Sequence, residues 1–218
     1  MTLLRIVSVL TIVALLVLIA LDLKRRKSTW KAVGASLWIE FKAVIRFKRE
    51  SGRSGLAAIR LVVYRMTVIC FFILGLSGFL PIVFLGEHLT GTLLIVHVTI
   101  APLFALLLAA IALLWAHRLR LCENDWRCFV KLWKRQIPER DALSRCLLRA
   151  GFWLILLTSL PLILAVILGL YPLFGTEGIE LLVSLHAYSA LVLTLLALMH
   201  IYGTMTIVND SFENHVKE

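Results

Sequence analysis

The sequence predicts an all-α integral membrane protein whose apolar helices cross a bilayer several times. Apolar residues make up 61% of its 218 residues and charged residues only 17%. Its mean hydropathy of +0.94 lies far above that of soluble globular chains. Because a bilayer interior offers backbone groups no water to bind, long apolar runs of this kind are predicted to be helices.

Five apolar runs are each long enough to cross a hydrocarbon core of about 30 Å. They cover residues 3–23, 64–85, 92–116, 152–174 and 179–208. The first run could be a secretory signal, but its basic residues follow the apolar stretch and no A-x-A cleavage pattern appears, which favours an uncleaved anchor. We therefore expect an anchor at 1–23, a basic amphipathic segment at 24–63, a four-helix transmembrane bundle at 64–208 and a tail at 209–218.

Basic residues are concentrated in two segments. Residues 24–60 contain eleven Lys and Arg and residues 118–149 contain nine, whereas 66–117 and 150–216 contain none. Since loops rich in Lys and Arg stay in the cytoplasm, we expect the amino terminus outside and the carboxyl terminus inside. This topology accounts for the net charge of +10 without a nucleic-acid partner.

Both basic segments also contain amphipathic stretches. Apolar residues recur at helical spacing within 30–45, and again at Trp126, Phe129, Val130 and Trp133. We expect these stretches to lie along the membrane surface, with the tryptophans at the interface and the basic side chains at anionic headgroups.

Three histidines inside the spans are the most informative residues, because an ionisable or ligating side chain is costly to place in a membrane. His97 and His186 lie at similar depths from the outer side, in the third and fifth spans. His200 follows His186 at a distance of about 21 Å along the helix and roughly 40° around it, on the same face. Such a face can hold two haems in line, each completed by a histidine from another helix. The alternative is buried histidines bonded to neighbouring carbonyls or hydroxyls.

Three stretches carry a resemblance to a known family. They are TVICFFILGLSGF in the second span, FWLILLTSLPLILAVILG in the fourth and LVSLHAYSALVLTLLALMHIY in the fifth. Over residues 64–208 the chain resembles the cytochrome b (gamma) subunits of membrane-bound formate dehydrogenase, with relatives in thiosulfate reductase and nickel-iron hydrogenase complexes. The resemblance implies a four-helix haem-binding bundle plus one extra amino-terminal helix, with the iron of an outer haem b held by His97 and His186.

The resemblance also implies an inner haem b with His200 as one iron ligand. The family's other inner ligand is a histidine ahead of the first core helix, where this sequence has Tyr64, Arg65 and Met66. An inner iron held by His200 alone, an unusual partner such as Tyr64, or no inner haem at all remain open.

Further residues match family positions near the haems. Gly78 and Gly169 correspond to family glycines, and either approach a haem or serve helix packing. Arg60 and Arg65 either pair with haem propionates or follow the charge rule.

The implied function is electron transfer and not substrate chemistry, since no catalytic acid, base or nucleophile is evident. The resemblance implies an iron-sulfur or multihaem partner on the outer side, a quinone near the inner side, and a hetero-oligomeric respiratory complex in a bacterial or archaeal cytoplasmic membrane. The alternative is a haem-free membrane anchor subunit of a redox or transport complex.

Overall fold

A computed structural model describes residues 2–25, 55–86, 89–136, 138–171 and 173–216. This part of the chain contains α-helices, one π-helical turn and their connections, and no strand. The helices are α1 Thr2–Arg25, α2 Gly55–Leu80, α3 Gly91–Trp115, α4 Glu123–Trp133, α5 Arg140–Gly169 and α6 Gly175–Val216, and the π-helical turn is Pro81–Leu85. The predicted all-α class is confirmed.

Five of these helices are long and apolar enough to cross a membrane. The qualifying segments are Leu3–Arg25, Gly55–Phe84, Gly91–Trp115, Ala142–Gly169 and Gly175–Thr204. In each, only 11% to 22% of the most apolar stretch is buried within the protein, so most of that surface is available to lipid. The chain is therefore a multi-pass membrane protein, as the hydropathy predicts.

Two of the spanning helices begin well before their apolar runs. α2 begins at Gly55, where the sequence predicts a start at 64, and α5 begins at Arg140, where it predicts 152. Hydropathy marks only the lipid-exposed part of a helix, whereas the backbone hydrogen bonds continue through the polar turns that precede it. Of the two predicted amphipathic stretches, the second forms α4, and the first, within 30–45, lies outside the described residues.

The chain divides into two compact units, Met1–Trp115 and Ala116–Glu218. In the first unit α2 packs against α3, and small polar side chains at Thr67, Cys70 and Ser77 are buried along α2. Small side chains of this kind allow helices to approach closely in a membrane. α2 continues into the π-helical turn at Pro81, because proline has no N–H to donate to the carbonyl of Ser77.

In the second unit α6 packs along α5, and α4 packs against α5. Cys128 on α4 and Cys146 on α5 are buried, at 4% and 0% exposure, so the contact between α4 and α5 is close. The four cysteines of the chain are free thiols.

Candidate functional site

His97 lies near the beginning of α3 and contacts α2. Its Nδ1 is 3.0 Å from Oγ of Ser77, and that Oγ is also 3.2 Å from the carbonyl oxygen of Leu74. A serine hydroxyl has one proton, so when it donates to Leu74 it accepts from Nδ1–H of His97. This pattern favours the neutral tautomer in which Nε2 keeps its lone pair.

Gly78 is where α2 makes room for this ring. A Cβ built at Gly78 would be 3.3 Å from Cε1 of His97, closer than ordinary van der Waals contact. One turn earlier, a Cβ at Gly75 would meet nothing within 4 Å. The glycine that the family resemblance singles out therefore packs on the imidazole of His97.

His186 lies on α6 and contacts α5. Its Nδ1 is 3.1 Å from the carbonyl oxygen of Leu162, which can only accept a hydrogen bond. His186 therefore donates from Nδ1 in this contact, and a neutral ring has its lone pair on Nε2. These contacts with a hydroxyl and a carbonyl are those that the alternative of hydrogen-bonded buried histidines predicts. The contact of His186, and that of His97 when Ser77 donates to Leu74, also leave Nε2 with the lone pair that a metal-ligating histidine uses.

His200 lies farther along α6 and faces α5 as well. A Cβ built at Gly151 of α5 would be 3.0 Å from its Nδ1, which places the ring directly against the α5 backbone. The shared face that the spacing of His186 and His200 predicts is the face that packs on α5. Unlike His186, His200 has a buried Nδ1 that meets no hydrogen-bond partner within the described ranges.

The other candidate residues lie on α2 and α5. Tyr64, which is 44% exposed, and Arg65 follow one another in the first half of α2. One turn earlier, Nε of Arg60 is buried without a hydrogen-bond partner among the described residues. Gly169 is the last residue of α5, and a Cβ there would meet nothing within 4 Å, so no contact with the described residues requires a glycine at that position.

The fit of these donors to a metal depends on how many protein ligands the metal needs. Within the residues that the structure covers, no group of three or more His, Cys, Asp or Glu side chains is arranged to hold a metal. A haem iron needs at most two protein ligands, because the porphyrin supplies the others. Imidazoles whose Nδ1 contacts a protein group, as in His97 and His186, are of the type that such an iron takes.

Sequence reasoning missed Ser77, Gly151 and the carbonyl of Leu162, the groups that surround the three histidines. Ser77 directly precedes the glycine that the family resemblance selects, which is the one signal that points to it. Gly151 lies at the polar beginning of an apolar run, and a backbone carbonyl has no signature in a sequence.

Three comparisons with known proteins found no match to this chain. No protein-family model matches the chain, and neither a curated protein nor a solved structure matches it. The resemblance to cytochrome b subunits therefore stays a prediction.

Proposed function

We propose that the chain is a membrane cytochrome b subunit of a respiratory oxidoreductase complex, with one haem b whose iron is bound by Nε2 of His97 and Nε2 of His186. Haem b, when bound, supplies a one-electron iron couple. The observation that carries the proposal is the hydrogen bond from Nδ1 of His186 to the carbonyl of Leu162. A carbonyl acceptor fixes the tautomer and the ring orientation that an iron-binding histidine would need.

The protein's own groups have defined roles in this proposal. Ser77 and the Leu162 carbonyl orient the two imidazoles and increase their basicity. More basic imidazoles would stabilise ferric iron relative to ferrous iron. Gly78 lets the His97 ring lie close to α2. The apolar surfaces of the spans keep water away from the ligands, and a low local dielectric tunes the potential of such a centre.

Topology and partners follow from the charge distribution and the resemblance. From the positive-inside rule we propose that the basic segments 24–60 and 118–149 lie in the cytoplasm and that His97 and His186 lie toward the outer side. The resemblance supports an iron-sulfur or multihaem partner on that side, with which a bound haem would exchange electrons, and a quinone near the inner side.

Optical spectroscopy tests the proposal. The full chain, purified from membranes of a haem-supplied host, is expected to give a b-type band on reduction with dithionite. His97→Ala is expected to abolish that band, because it removes one axial ligand. His117→Ala is the matched control, since His117 is exposed and lies just after α3. A haem-free wild-type protein of normal yield and homogeneity would contradict the proposal and support the bare anchor.

A further inference from the structure

The short helix α4 has two surface regions besides the face that packs on α5. The buried Asp125 and Cys128 lie on the packed face. Trp126, Val130 and Trp133 lie within roughly 60° of one another around the helix and form what we call the aromatic face. They are 60%, 51% and 90% exposed. Exposed basic side chains lie beside this face, at Arg127, Lys131 and Lys134.

Polar contacts hold α4 in a fixed rotation on α5. The carboxylate of Asp125 accepts hydrogen bonds from the N–H of Cys122, at 2.7 Å, and from the guanidinium of Arg149, at 2.8 Å. Burial raises the pKa of Asp125, but these two hydrogen bonds and the charge of Arg149 outweigh it and hold the pKa below its ordinary value. The hydrogen bonds of the ionised Asp125 carboxylate therefore set the direction of the aromatic face.

α4 also lies close to the beginning of a spanning helix in the same unit. The spanning part of α5 begins at Ala142, soon after α4 ends. Nε1 of Trp153 in α5 donates to the carbonyl oxygen of Leu119 at 2.8 Å, which fixes the connection before α4 to the first turns of a span. An exposed apolar face beside the first turns of a span is the kind of surface that favours the boundary between headgroups and acyl chains.

The charge of this region indicates which surface it faces. Residues 117–136 contain six Lys and Arg against two acidic residues, a net charge of +4. Both acids are already paired, Asp125 with Arg149 and Glu123 with Arg127. The remaining cations, Lys131 and Lys134 among them, have no acidic partner in the described part of this region and are complementary to anionic headgroups.

We infer that α4 is an interfacial anchor that binds the anionic lipid surface of the membrane containing the chain, with its aromatic face in the headgroup–acyl boundary. This inference does not depend on haem binding. Tryptophan favours this boundary, because its ring is apolar and its N–H is polar. Fixed in this way, α4 holds the beginning of α5 at the membrane surface.

Fluorescence quenching tests where the aromatic face lies. The full chain is placed in nanodiscs made with brominated phosphatidylcholine and phosphatidylglycerol, and Trp133→Phe is compared with the wild type. The difference between the two emission spectra is the emission of Trp133. We expect the brominated lipid to quench this emission. Trp153→Phe is the positive control, because Trp153 lies in a span. Quenching of Trp133 by aqueous iodide, or protection from both quenchers by a covering protein surface, would overturn the inference.

Lipid retention tests the choice of headgroup. Lys131→Gln with Lys134→Gln is expected to reduce the phosphatidylglycerol that co-purifies from a mixed bilayer by at least fivefold, since each basic residue at such a surface contributes about a fivefold factor. Lys131→Arg with Lys134→Arg retains the charges and is expected to retain the lipid. Equal retention by the glutamine and arginine variants would overturn the anionic-lipid assignment.

Discussion

His186 and His200 lie on the same face of the same helix and both meet α5, yet their surroundings differ. Nδ1 of His186 has a carbonyl acceptor at 3.1 Å, whereas Nδ1 of His200 is buried against Gly151 with no partner in the described chain. An unsatisfied buried nitrogen costs free energy, and an unsupported ring has no fixed tautomer. Helical spacing alone therefore does not make two histidines equivalent ligands.

The difference separates His186, whose Nδ1 has a supporting contact, from His200, whose Nδ1 has none among the described residues. His97 belongs with His186 in this respect, because Ser77 holds its Nδ1. Tyr64 is the candidate partner of His200 from the sequence, and its assignment remains a prediction. The contrast leads us to propose one haem, at the ligands whose Nδ1 atoms have acceptors.

The largest expected effect comes from removing each histidine of α6 in turn. His186→Ala is expected to lose the haem, since an axial ligand is gone, and His200→Ala is expected to retain it. The haem-to-protein ratio of each purified variant, from the pyridine haemochrome spectrum, measures this. Loss of haem in His200→Ala, with haem retained in His186→Ala, would contradict the choice of His186 as the iron ligand.

Gly151→Ala sharpens the contrast at the inner position. The added Cβ would be 3.0 Å from Nδ1 of His200, so the ring or the helix must move, which we expect to cost about 1–3 kcal/mol of stability. Thermal unfolding in detergent measures the loss. Gly169→Ala on the same helix is the control, because nothing lies within 4 Å of its Cβ position. Equal melting temperatures for the two variants would refute the close contact.

Ser77→Ala removes the acceptor at Nδ1 of His97 and is expected to have a smaller effect than removing a ligand. A less basic imidazole stabilises ferric iron less, so the midpoint potential is expected to rise, with a roughly 10- to 100-fold loss of haem affinity. Ser159→Ala is the control, because Ser159 is equally buried on α5 and bonds only the carbonyl of Leu156. Unchanged potential and haem affinity in Ser77→Ala would argue against an orienting role.

The last effect is expected away from the histidines, at Asp125. Its pKa in the folded protein is below its ordinary value of 3.8, so the stability that its contacts supply is present above that value and is lost as the pH falls through the lowered pKa. Asp125→Asn is expected to lose about 1.5–3 kcal/mol at neutral pH. The difference in free energy of unfolding between the wild type and the variant is expected to be smaller below pH 4 than at pH 7. An equal difference at both pH values would contradict an ionised Asp125 in this contact.

The fold was predictable where each element depends on its own sequence. The five spans follow from hydropathy, α4 from its apolar spacing, and the common face of His186 and His200 from the helical repeat. The early beginnings of α2 and α5 were not predictable from hydropathy, because those turns are polar. The contacts at the histidines depend on which helices pack together, so no periodicity identifies Gly151 or the Leu162 carbonyl as a neighbour.

The measurement that tests the central claim most directly is the electron paramagnetic resonance spectrum of the oxidised, purified chain. Two imidazoles on one iron are expected to give a low-spin ferric signal that is present in the wild type and in His200→Ala, and absent from His97→Ala and His186→Ala. A wild-type protein without that signal, or one that keeps it after His186→Ala, would contradict iron ligation by His97 and His186.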